Sequence, residues 1–133
     1  MPILTQAKNS QLLVLHLRDA GVTDADVKDI ARLQPLEVLD LSSNELTDKG
    51  IASLVGLKRL SMLWIGENKV SPKCIGSLKK LPNLQGVTLS MTGWTAKEKA
   101  DFLQVAKTAH FSVDAVQNHL SKTPTKLVGP STP

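Results

Sequence analysis

The chain has 133 residues, 41 % of them hydrophobic and 21 % charged, with a net charge of +4. That is one domain's worth of ordinary globular sequence, long enough for a continuous apolar core. Its single cysteine, Cys74, excludes an internal disulfide framework, and its Lys and Arg residues are spread along the sequence, which makes no case for nucleic acid.

The first residues, MPILTQAKNS, lack the basic and apolar regions of a leader peptide, and no apolar run reaches the length of a membrane span. With one cysteine, these features lead to the expectation of a cytoplasmic, intracellular protein away from the membrane. Residues 1–11 match the helical half of the units that follow, with Ile3 in the place of Val27 and Ala7 in that of Ala31. They are expected to form a half-repeat that caps the N-terminal end of the core.

Four similar runs come next, opened by Leu12, Leu36, Leu60 and Leu84 at a spacing of 24 residues: LLVLHLRDAGV, LEVLDLSSNEL, LSMLWIGENKV and LQGVTLSMTGW. Apolar residues occupy the first, fourth, sixth and eleventh positions each time. The fourth and sixth alternate with residues of the other face, the period-two mark of a strand. Each run leads into a helix start, at Thr23, Thr47, Ser71 and Thr95, where a hydroxyl can accept from an orphan helix N–H. Pro72 suits a first helical position, because its missing donor is not needed there. Apolar residues then recur at helical spacing, as in Val27, Ile30 and Leu33. Residues 12–107 therefore read as four strand-turn-helix units.

No such unit can bury its apolar face alone, and stacking in register is what gives the units a common core. Asn44 and Asn68, at the ninth position, are placed to satisfy turn backbone groups; Ala20 and Thr92 replace them in the outer units. Residues 108–121 read as a degenerate cap. One further period puts Phe111 and Val113 in a fifth strand around His110–Val113, with a short helical turn near Ala115–Leu120. The Pro-, Ser- and Thr-rich stretch 122–133 reads as a disordered tail or linker.

The pattern resembles that of the leucine-rich-repeat family, L-x-x-L-x-L-x-x-N-x-L, over residues 12 to 107, with short helices like those of intracellular and bacterial members. The resemblance implies an α/β fold: a short right-handed solenoid with a concave parallel β-sheet and helices on the convex side. It also implies a habit of binding other proteins.

In that fold the third, fifth, seventh and eighth positions of each run face out from the concave sheet. Val14, Val38, Met62 and Trp64 then form an apolar strip, rimmed by His16, Arg18, Asp40 and Glu67. An exposed Trp with a polar rim has the composition of a binding hot spot, and these eight residues are the candidate partner-binding site. His16, Asp40 and Ser42 have the inventory of a hydrolase triad but lack an oxyanion hole or a strained nucleophile turn. The histidines have no metal-ligand spacing, and Cys74 reads as a small core residue. Lys58-Arg59 and Lys79-Lys80 read as cations at helix C-termini, where they complement the helix dipole. The expectation is a monomeric protein–protein interaction or scaffold module without catalysis, metal, cofactor or nucleic acid. Two alternatives remain: the recognition part of a larger enzyme or effector such as a ubiquitin ligase, and a structural component of the cytoskeleton or of a complex.

Overall fold

The computed structural model describes residues 13–116. The expected N-terminal half-repeat and the tail over 122–133 lie outside them. Five parallel strands form one sheet in sequence order: β1 (Val14–His16), β2 (Val38–Asp40), β3 (Met62–Trp64), β4 (Gly86–Ser90) and β5 (Ser112–Val116). Between them run α1 (Asp24–Ile30), α2 (Asp48–Ser53) with a 3-10 turn at Leu54–Gly56, α3 (Ile75–Leu78) after a 3-10 turn at Pro72–Cys74, and α4 (Ala96–Thr108). Val14 pairs with Val38, Val38 with Met62 and Met62 with Gly86, which is the 24-residue repeat turned into register. The last pairing differs. Gly86 faces Ser112 and Val87 faces Val113, so the fifth strand arrives two residues later than one further period predicts. The long α4 helix supplies the extra residues. Phe111 precedes the strand, and Ala115 and Val116 belong to the strand instead of to a helical turn.

The core lies between the sheet and the helices. Leu39, Leu63 and Leu89 from the strands, with Leu41 and Ile65 just past β2 and β3, meet Val27, Ile30, Ile51, Leu54 and Leu78 from the helices and the 3-10 turn, all of them buried. At roughly 25 cal/mol per Å² of apolar area removed from water, each such side chain contributes about 2 kcal/mol. Trp94 takes the place of Val70 in the fourth unit and packs on Phe102 of α4, ring centroids 5.1 Å apart and tilted by 58°. α4 ends in a hydrogen-bonded reversal. His110, at φ 69°, donates to Lys107 O and Phe111 donates to Ala106 O, which satisfies two orphan carbonyls of the last turn.

Two side-chain ladders hold the units together. Asn44 Oδ1 accepts from the N–H groups of Ala20 (3.0 Å) and Val22 (2.9 Å), while its Nδ2 donates to the carbonyls of Leu17, Leu41 and Ser42. Asn68 repeats the arrangement one unit on, accepting from Leu46 N–H and donating to Leu41, Ile65 and Gly66. The second ladder joins helix starts. The Asp24 carboxylate accepts from both the N–H and the hydroxyl of Thr47, and Asp48 does the same for Ser71. Gly50 is required there, since a Cβ would collide with the Asp24 carboxylate. Pro72 stands where a third Asp would be. The fourth helix instead closes its own cap, with Thr95 Oγ1 accepting from Glu98 N–H and Glu98 Oε1 from Thr95 N–H.

Candidate functional site

Because side chains alternate along a strand, the face opposite Leu39, Leu63 and Val87 carries two rows. One runs Val14, Val38, Met62, Gly86; the other runs His16, Asp40, Trp64, Thr88. The register therefore brings together six of the eight residues expected from sequence. Arg18 and Glu67 follow β1 and β3. With Asp19, Ser43 and Asn44 they line a shallow polar depression at the C-terminal ends of the strands. Asp19, Ser43 and Glu67 each take a left-handed backbone conformation, φ 52°, 58° and 58°. Sequence reading missed that turn, because none of the three is glycine.

Exposure separates these residues. Val14 is 45 % exposed, His16, Arg18 and Glu67 are exposed, and Val38 and Met62 are half-buried. Trp64, expected to stand out as an exposed anchor, is only 6 % exposed, and Asp40 only 2 %. The sheet face is thus open at its β1 side and closed in the middle. Met62 leans over β4, where a Cβ on Gly86 would lie 3.0 Å from its Cε and 3.1 Å from its Sδ.

The Asp40 carboxylate is held from within. Its Oδ1 accepts from Ser42 N–H at 3.0 Å, and its Oδ2 faces His16 Nδ1 at 3.8 Å. Ser42 meets this carboxylate through its main chain, and the hydroxyl-to-imidazole contact of a hydrolase triad is not among the hydrogen bonds of the described residues. Cys74, at the end of the 3-10 turn that leads into α3, is buried at 1 % exposure. Burial, and then the nearby Asp48 charge, push its thiol up to about 12, so it stays protonated and inert at neutral pH. Among the described residues no group of three or more His, Cys, Asp or Glu side chains is arranged to hold a metal ion. No described helix is long and apolar enough to cross a membrane.

A repeated strand-turn-helix unit, a parallel sheet in 24-residue register and an asparagine ladder along one edge define a repeat solenoid. A family model described as "Leucine rich repeat" matches residues 10–70, and this match together with the fold supports the leucine-rich-repeat family. Members of this family generally act as interaction modules. No curated protein matches the sequence. Among solved structures, leiomodin-1 actin-binding site 2 superposes with a TM-score of 0.69 at 11 % identity, covering 88 % of this chain and 79 % of that one. An internalin from Listeria monocytogenes str. 4b F2365 gives 0.47 at 18 % identity, covering 86 % of this chain and 38 % of that one. At such identities the likeness concerns the fold alone.

Proposed function

We propose that the protein is a protein-binding module whose partner docks on the sheet face away from the helices, the concave face of a solenoid of this kind, without catalysis by the module itself. The observation that carries this reading is the register. It gathers Val14, Val38, Met62 and Trp64 into one apolar band beside His16 and Asp40, with Arg18 and Glu67 at its polar end. The open part of the band is Val14 with His16 and Arg18 beside it, and there a partner would make first contact. Trp64 and Asp40 form its floor. They shape the surface and set its stiffness, because a buried carboxylate anchored by a backbone N–H holds one geometry.

The test is capture of partners from native lysate by the parent protein and by Val14→Asp. The substitution is at an exposed position, so the fold is expected to survive it. A protein lost selectively with the variant, and bound at least about tenfold more weakly by it in purified form, a change of ~1.4 kcal/mol, supports the reading. Equal binding by the two forms overturns it. Leiomodin-1 uses this fold as an actin-binding site, which makes actin co-sedimentation a direct assay of the cytoskeletal alternative.

A further inference from the structure

In a parallel solenoid every helix-to-strand connection lies on one edge and every strand-to-helix connection on the other. The Asn83 side chain, for example, donates to Lys58 O across neighbouring helix-to-strand connections. The two edges differ in charge. The helix C-terminal ends and the helix-to-strand connections that follow them, residues 31–37, 54–61, 78–85 and 107–111, carry Arg32, Lys58, Arg59, Lys79, Lys80 and Lys107 against one acid, Glu37. The strand-to-helix connections carry Asp19, Glu45 and Glu67 with Arg18 and Lys69. Among the described residues, positive charge outweighs negative on the first edge and not on the second.

The helix dipole accounts for Lys107, in the last turn of α4, but not for Lys58, Arg59, Lys79 and Lys80. Its influence fades beyond the last turn, and neither the last turn of α2, nor its 3-10 extension, nor the last turn of α3 contains a basic residue. Lys58 and Arg59 follow the cap of the 3-10 turn, Lys79 is itself a cap, and Lys80 follows it. All four are exposed, and among the described residues none makes an ion pair. On this edge only Arg32 does, with Asp29 at 3.7 Å. Like charges held side by side without partners raise the local potential and favour an anionic partner.

We propose that this basic edge is a second interaction surface, independent of the sheet face, and that it takes an acidic protein segment. Three features favour a peptide over nucleic acid or membrane. These connections present no exposed aromatic platform for bases, and Leu13, just ahead of β1 on the same edge, is a single exposed large apolar side chain among the described residues there, too little to enter a bilayer. The exposed amides of Gln34, Asn83 and Gln85 stand among the cations, suited to a peptide's carboxylates and backbone alike.

The experiment uses a fluorescein-labelled oligoglutamate peptide as probe, read by anisotropy at low and physiological salt. Three proteins are compared: the parent, a variant with Lys58, Arg59, Lys79 and Lys80 all changed to Glu, and a charge-matched control with Lys49, Lys69, Lys73 and Lys99 changed to Glu. All eight positions are exposed, and circular dichroism verifies the fold of each variant. Binding by the parent that falls at least tenfold in the first variant, and much less in the control, supports the proposal. Equal losses in the two variants, or no binding by the parent, overturn it. Tighter binding of duplex DNA or of phosphatidylserine vesicles than of oligoglutamate also overturns it, by assigning the edge to another class of partner. Unchanged oligoglutamate binding by Val14→Asp separates this surface from the sheet face.

Discussion

Replacing Asn44 by Ala tests the account of how the units are joined. The amide oxygen accepts from two backbone N–H groups of the first unit, and the amide nitrogen donates to three carbonyls, one of them also in that unit. Alanine leaves the two donors and three acceptors without these partners. A fully buried group left unsatisfied costs about 1–3 kcal/mol. This site is half-buried, so water recovers part of each loss, and about 3 kcal/mol in total is expected. Urea unfolding followed by far-UV circular dichroism measures it, with Thr92→Ala as the internal reference. Thr92 occupies the same repeat position but bonds only the exposed Ser90 hydroxyl, and its loss is expected to cost under about 0.5 kcal/mol. Because repeats couple to their neighbours, hydrogen exchange should quicken first at Ala20 and Val22, whose N–H groups lose their acceptor. If Asn44→Ala and Thr92→Ala proved equally stable within error, the ladder would not be what holds the first unit to the second.

Two further predictions concern buried side chains. Trp64→Ala is expected to cost about 3 kcal/mol of stability, at the low end for loss of a buried Trp because the residue lies outside the main core; thermal melting that matches the parent would mean its burial contributes nothing. For Cys74, folding keeps the thiol protonated to about pH 12 against 9.0 unperturbed. The unfolded chain therefore releases this proton first, and stability is full below pH 9 and declines as pH rises through that window. The stability advantage of the parent over Cys74→Ala should shrink by about 1.4 kcal/mol per pH unit there, whereas a pH-independent difference would contradict the assigned burial.

Fold and repeat were legible in the sequence because both rest on local, periodic information. Leu at the fourth and sixth positions fixes which strand face is buried. The Thr and Ser caps and Pro72 fix where helices begin, and a constant spacing fixes which residues become neighbours across the sheet. His16 beside Asp40 follows from the same arithmetic. The Thr-Asp pairs at 23–24 and 47–48 repeated visibly as well, yet their role as rungs between helices required knowing that an Asp side chain reaches the next unit's cap.

Other features depended on quantities that no single repeat contains. The two-residue delay of β5 comes from the length of α4, and a strictly extrapolated period misplaces Phe111. The exposure of a strand position depends on what stands on either side of it. Val14, Val38 and Met62 share one row and Trp64 lies in the next, yet Val14 is open and Trp64 is nearly covered. Charge is the clearest case. Along the sequence the basic residues look dispersed. The stacking of parallel units superposes connections that are 24 residues apart, and so gathers a scattered set of Lys and Arg residues onto one edge. Pattern set the secondary structure and the core, whereas exposure and electrostatic potential, being sums over neighbours from different units, were decided only when the units stacked.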